Sequence, residues 1–319
     1  MPDLDDLLEK TSRTFALSIP LLPEPTRREV TIAYLLFRIA DTFEDSATWS
    51  RRERIAALET FCELLEERDP EAWRRHADDW AARTPIEHEG YQELMREVPF
   101  VLDAFFELAA SARERVRHHT RRTSERMAAF VARTGDDGEL RLGGLEDLRD
   151  YCYAVAGIVG ELCTDLFLLD RPELDAVAEE LRGHARYFGE GLQLVNILKD
   201  AAFDAEEGRS YLPPGVDRET VFELARSDLG RASAYTLALQ RAEADRGIVA
   251  FNALPVLLAY ATLDKVEREG PGSKVSREEV YRLVEQMGTA LDEGEPVLPE
   301  PGTTGPGTTG PGTTDPGKN

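Results

Sequence analysis

Two stretches of this chain, Thr31 to Asp45 and Tyr151 to Leu169, are apolar around nearly the whole circumference of a helix. Such a helix persists only when other helices surround it, because apolar area left in water forfeits about 25 cal/mol per Å². The flanking sequence supplies that surrounding layer. Ile55, Leu58, Phe61, Cys62 and Leu65 recur at i, i+3 and i+4 among charged residues. Leu102, Phe105, Phe106 and Ala109 repeat the pattern, so both predict helices with one buried stripe. No alternating strand pattern is present, and no Asn-Gly or Asp-Gly pair lies between β-branched runs. Asp137-Gly138 and Gly143-Gly144 punctuate a loop ahead of a helix near Leu145, and Pro213-Pro214-Gly215 closes another helical region. The fold class is therefore all-α. Gly157 and Gly160, inside the second apolar stretch, either let a neighbouring helix or ligand approach closely or merely weaken the helix.

Charge narrows the partners. Among 319 residues, 61 are acidic and 38 basic, a net charge of −23, while 42% are hydrophobic, enough for a sizeable core. Such a field repels phosphate backbones, so nucleic acid is not expected as a partner. No apolar run approaches the roughly 20 residues that span a bilayer, and Met1 to Asp6 is acidic, so no transmembrane or signal segment is expected. Cys62, Cys152 and Cys163 form no CxxC pair. A soluble, cytoplasmic setting is the expectation, with peripheral membrane contact left open. Only five of the basic residues are Lys, which fits a salt-rich cytoplasm and predicts stability that rises with salt. From Glu293 the chain turns Pro-rich and then repeats PGTTG from Pro301, a composition that cannot bury apolar surface. The expected division is a helical domain over 1–292 and a flexible, disordered tail over 293–319.

Two polar clusters lie within this apolar framework. Asp41, Glu44 and Asp45 fall at i, i+3 and i+4, within about 100° of arc, so three carboxylates share one helix face. They repel one another and need solvent, a basic neighbour such as Arg38, or a cation; a solvated helix end is the plain alternative. Gln193, Asn196, Asp200 and Asp204 fall within about 80° on a second helix whose other faces carry Leu192, Leu194, Val195, Ile197 and Leu198. A seam satisfied by partner helices is the plain reading there. Together the clusters suggest a hard-cation site, and oxygen-only ligands favour Mg²⁺ over zinc. Arg13, Arg38, Lys199 and Arg209 would meet phosphate oxygens left free by the metal. The combination predicts diphosphate chemistry on an apolar substrate, without a P-loop, since GxxxxGK[ST] is absent.

These residues sit in blocks that resemble the squalene/phytoene synthase family. The blocks are Ser12-Arg-Thr-Phe15, Tyr34-Leu-Leu-Phe-Arg38-Ile-Ala-Asp41-Thr-Phe-Glu44-Asp45, Tyr151-Cys-Tyr-Ala-Val-Ala-Gly157-Ile-Val-Gly160, and Gln193-Leu-Val-Asn196-Ile-Leu-Lys199-Asp200 through Tyr211-Leu-Pro213. The resemblance implies one isoprenoid-synthase helical bundle with a central active-site cavity that condenses two prenyl diphosphates head to head. It implies Mg²⁺ on Asp41, Glu44, Asp45, Asp200 and Asp204, with Asp41 and Asp200 central to catalysis. Diphosphate binding would fall to Arg13, Arg38, Lys199 and Arg209. Ser12, Phe15, Tyr34, Gln193 and Asn196 would line the substrate, and Tyr151 would help remove a proton during cyclopropane closure. Phe37 and Phe43 are further candidates for the carbocation wall, with ordinary core packing the plainer role for both.

The motif Asp-Thr-Phe-Glu-Asp and the Tyr151 block look more like squalene-forming than phytoene-forming members. That implies farnesyl diphosphate as substrate, a cyclopropyl intermediate, and NADPH to quench the final cation. Phytoene or dehydrosqualene formation, ending in proton loss without NADPH, is the alternative; a non-catalytic helical scaffold is a remote one. Departures from the family pattern are Lys199 where Arg is usual and Phe203 where an acid is common. A longer stretch between Asp45 and Tyr151 carries Trp73, Trp80 and a basic run. In that run Arg113, Arg117 and Arg121 offer either a site for a phosphorylated cofactor or a solvated basic face.

Overall fold

A computed structural model of the protein describes residues 3–135, 140–206 and 211–300, with the side chains of 202 and 204–206 outside that description. The chain begins with α1 (Leu4–Thr11), a short α2 (Phe15–Ser18), a 3₁₀ turn at Ile19–Leu21 and α3 (Thr26–Glu44). The next layer is α4 (Arg51–Leu64), α5 (Pro70–Ala82), α6 (Glu89–Arg96), α7 (Val98–Phe106) and α8 (Ala110–Ala132). After α9 (Leu145–Cys152), a π-turn at Tyr153–Gly157 leads into α10 (Ile158–Phe167). The chain then runs through α11 (Ala178–Glu206), α12 (Arg218–Arg241), α13 (Arg246–Glu269) and α14 (Arg277–Glu293). No strand occurs among the described residues.

Local chemistry accounts for the helix starts. Ser50 and Ser276 each accept from the backbone N–H three residues on, while Glu53 and Glu279 reach back to the cap, two capping boxes. Asp69 caps α5, with Pro70 at its first position, where the missing N–H costs nothing. Gly294, at φ 73°, ends α14 in the left-handed conformation.

α3 is the surrounded helix that its composition predicts. Ile32, Leu35, Leu36, Ile39, Ala40 and Phe43 point to different faces, and all are fully buried. It contacts α1, α4, α6, α7, α8 and α10. The second apolar stretch is not one regular helix, because the π-turn interrupts it at Tyr153. Here the chain crosses α11 at backbone contact: a Cβ on Gly160 would lie 2.0 Å from the Ala185 carbonyl oxygen, and one on Gly189 would lie 1.9 Å from that of Ala156. The Gly157 and Gly160 pattern therefore marks a close helix crossing.

Two expectations from sequence change. α13 is long and apolar enough to cross a membrane by composition. In the fold its residues Ile248 to Leu257 are buried, and it packs against α11, α12 and α14, so the apolar length serves the core. The tail boundary at residue 293 also cuts through packed structure. Gln240 Nε2 donates to the Glu295 carbonyl at 2.7 Å and its Oε1 accepts from Val297 N at 3.2 Å, while Val297 and Leu298 are buried. Pro301 to Asn319, including the repeats, lies outside the described residues.

Candidate active site

The end of α3, the segment after α1, the turn before the π-turn and the middle of α11 converge on one polar basin of about 710 Å³. Ser12, Arg13, Phe15, Arg38, Asp41, Glu44, Asp45, Tyr151, Gln193, Asn196, Lys199 and Asp200 all line it. Beside it lies an apolar cavity of about 180 Å³, walled by residues including Ile19, Phe37, Leu166, Phe188 and Phe251. Phe15, Arg38, Asp41, Val155, Gln193 and Asn196 border both spaces, so a carboxylate-lined mouth opens into an oily interior. Tyr34 lines the apolar side.

Helix geometry sets the acid cluster. Asp41 and Glu44 are on the last turn of α3, and Asp45 caps it, its N–H bonding the Asp41 carbonyl at 2.8 Å. Burial, with Asp45 nearby and Arg38 opposing, pushes the Asp41 carboxyl up to about 6. Burial and repulsion from Asp45 and Asp41 push Glu44 well above the ordinary carboxylate range, against the Arg54 charge and the neighbouring Tyr151 hydroxyl. Tyr151 is itself buried and stacked on Tyr211 at 5.0 Å. Burial and the neighbouring Glu44 carboxylate hold its phenol well above the ordinary range, so the hydroxyl keeps its proton.

Arg38 is held on several sides. Its Nη1 lies 3.2 Å from Asp41 Oδ2, and its Nε donates to Tyr34 Oη at 3.3 Å. Tyr34 in turn donates to the Thr11 carbonyl at 2.8 Å, which ties α3 to the end of α1. Ser12 Oγ accepts from Phe15 N at 2.9 Å and so shapes the turn that carries Arg13 and Phe15 past the mouth. On α11, Lys199 Nζ lies 3.2 Å from Asp200 Oδ2 and donates to Asn196 Oδ1 at 3.3 Å. Gln193, Asn196 and Asp200 of the stripe thus face the basin.

Phe43 takes the plainer of the two roles read for it. Phe43 lines neither space; it packs on Trp80 at 4.6 Å and on Trp49 and Phe61, in the core that also buries Trp73. In the basic run Arg117 and Arg121 pair with Glu66, and Arg113 donates to the Phe106 carbonyl, as a surface basic face would. Asp204 lies on α11 with its side chain outside the described residues, and Arg209 is outside them altogether. Lys10, His88, Tyr91 and Tyr211 also line the basin. Tyr211 belongs to a block visible in the sequence, whereas His88 and Tyr91 carry no local signal, because only packing brings α6 to the mouth.

The comparisons with known proteins agree with this architecture. A model of the squalene/phytoene synthase family matches residues 8–283, and the chain belongs to that family. The Botryococcus squalene synthase of Botryococcus braunii is 29% identical over 63% of this chain and 39% of its own length. A squalene synthase from Yarrowia lipolytica is 28% identical over 82% of this chain and 60% of its own length. The chain thus spans only part of the curated relatives it matches. Among solved structures, a complex of TcSQS with the ligand BPH1237 superposes with a TM-score of 0.73 at 23% identity, covering 89% of this chain and 84% of that one. A dehydrosqualene synthase bound to a ligand gives 0.58 at 20% identity, covering 91% and 95%. Both structures share the fold.

Proposed function

We propose that this protein condenses two farnesyl diphosphates head to head, through a cyclopropyl intermediate, to squalene. The observation that carries the reading is the junction of the charged basin with the apolar cavity at Phe15, Arg38, Asp41, Val155, Gln193 and Asn196. A prenyl diphosphate has one anionic and one apolar end and would span that junction. The relatives named squalene synthases support the squalene-forming variant of the chemistry.

The acid set fits a divalent cation on electrostatic grounds. Glu44 is buried and Asp41 half-buried close to it, both with raised pKa values, and a hard cation would relieve that repulsion. Among the described residues no group of three or more His, Cys, Asp and Glu side chains is arranged to hold a metal ion by itself. Mg²⁺ is commonly held by one or two carboxylates together with water and substrate phosphates. Asp41, Glu44 and Asp45 on one side, and Asp200 with Asp204 on the other, are the residues that would hold it. Magnesium, when bound, supplies positive charge that stabilises a diphosphate leaving group.

The protein's own side chains do the rest in this reading. Arg38, Lys199 and Arg13, with Arg209, bind the diphosphate oxygens through charge-assisted hydrogen bonds. Phe15, Phe37, Phe188 and Phe251 keep water from the reacting carbons and offer π faces to a carbocation. Tyr151, protonated beside Glu44, relays the proton lost in cyclopropane closure by passing its own Oη proton to the Glu44 carboxylate as it accepts the new one. Squalene as product requires a hydride, for which NADPH is the donor.

The test is to incubate the protein with Mg²⁺ and farnesyl or geranylgeranyl diphosphate, with and without NADPH, and to identify the hydrocarbon by mass spectrometry. Squalene formed only with NADPH is the expected product. A C40 hydrocarbon, or dehydrosqualene in the presence of NADPH, overturns the squalene reading. Asp41→Asn and Asp200→Asn are each expected to abolish turnover while thermal unfolding shows a folded protein.

A further inference from the structure

Arg38 is flanked by two aromatic rings, and only one of them belongs to its own helix. The Tyr34 ring centroid is 5.5 Å from the guanidinium carbon and that of Tyr91 is 5.4 Å away. Tyr91 comes from α6, and the packing of α6 fixes where it stands. Gly90 sits so close to α1 that a Cβ there would lie 2.5 Å from the Lys10 carbonyl oxygen. Lys10 Nζ then bonds Glu93 Oε1 at 2.9 Å, on the next turn of α6. On its outer side the Tyr91 ring meets that of His88 at 4.5 Å. Both residues line the polar basin.

The donors of Arg38 divide in a telling way. Nε is used on Tyr34 Oη and Nη1 on Asp41 Oδ2, while Nη2 has no hydrogen-bond partner among the described residues. A guanidinium binds phosphate well when its plane is fixed and N–H donors are left for the ligand. Tyr34 on Nε and Asp41 on Nη1 hold the group from two sides, with Nη2 between them. A ring within about 6 Å adds cation–π attraction that restrains the plane.

We propose that Tyr91 is a positioning residue of the diphosphate site: its ring restrains the Arg38 guanidinium so that Nη2 is presented to a diphosphate in the basin. The inference rests on the diphosphate reading of the site and extends it to a helix outside the motif blocks. It makes the closure of α6 onto α1 part of anion binding, so that Gly90 and Lys10 matter to the site through the placement of Tyr91.

The test titrates the full-length protein with inorganic pyrophosphate in the presence of Mg²⁺ by calorimetry. Tyr91→Leu is expected to weaken pyrophosphate binding about fivefold, within the range a desolvated cation–π contact supplies. Tyr91→Phe, which keeps the ring, is expected to bring affinity back to within about twofold of wild type. In an Arg38→Lys background, which lacks the planar group, Tyr91→Leu should cost less than twofold. If Tyr91→Leu does not fold, Tyr91→Met replaces it. A purely structural Tyr91 would lower the unfolding temperature and leave pyrophosphate affinity unchanged, and that result overturns the proposal. A wild-type protein that binds no pyrophosphate overturns the diphosphate reading itself and the inference with it.

Discussion

The crossing of α10 over α11 can be tested with one methyl group. Gly160→Ala places a Cβ 2.0 Å from the Ala185 carbonyl oxygen, where ordinary contact begins near 3.4 Å. The shortfall, 3.4 − 2.0 = 1.4 Å, is against backbone, so no rotamer change relieves it. The helices must separate, and a gap of 0.5–1 Å already forfeits about a quarter to a half of each dispersion contact. Overpacking of this kind costs about 1–3 kcal/mol, and a backbone clash belongs at the upper end, about 3 kcal/mol. Unfolding entropy near 2.1 cal/mol/K per residue gives roughly 0.6 kcal/mol/K here, so Tm should fall by about 5 °C. Because Gly160 and Gly189 also wall the apolar cavity, turnover should fall with it. Gly183→Ala is the control, an exposed position on α11 with nothing within 4 Å of the added Cβ. It should raise stability by about 0.5–1 kcal/mol, since Ala is the better helix former. Thermal unfolding followed by circular dichroism reads both. A Gly160→Ala protein within 1 °C of wild type, or equal losses in the two variants, would refute the close-crossing argument.

Two further predictions concern parts of the fold away from the chemistry. Asp228 on α12 is fully buried, neither carboxylate oxygen has a hydrogen-bond partner among the described residues, and Arg149 Nη2 stays 4.0 Å away. Burial raises its pKa above the ordinary 3.8 despite Arg149, Arg231 and Arg186, so the folded state keeps a proton that the unfolded chain releases. Stability from this group therefore falls as pH rises from the unfolded value through the folded one. Asp228→Asn should gain on wild type across that window and then hold a constant advantage; urea midpoints whose difference is flat with pH, or shrinks, would sink the idea. Leu298→Ala, at a site 3% exposed, should cost about 2–4 kcal/mol in urea unfolding. A cost below 0.5 kcal/mol would restore the tail boundary to residue 293.

How much of this was readable from residues alone depends on how far apart the cooperating residues lie. Asp41, Glu44 and Asp45 share a face because one helix repeats every 3.6 residues, and the same rule aligns Gln193, Asn196 and Asp200. Apolarity around α3 predicts its central place for an equally local reason. Phe43, two residues on from Asp41 and so about 200° around the helix, takes the plainer, core role, but its partners Trp49, Phe61 and Trp80 are ones only the fold assembles. The π-turn at Tyr153 was hidden likewise, since nothing in a run of apolar residues marks where a helix must widen to fit a neighbour.

The sequence by itself determined the all-helical class and the two polar stripes, because each follows from periodicity within one segment. Only the tertiary structure decided that Tyr151 comes beside Glu44, that the stripes open onto one apolar cavity, and that Tyr91 reaches Arg38. Those contacts join residues 53 to 107 positions apart, as with Arg38 and Tyr91 or Glu44 and Tyr151. Local propensity carries no record of them; they arise when buried faces from different helices compete for the same volume.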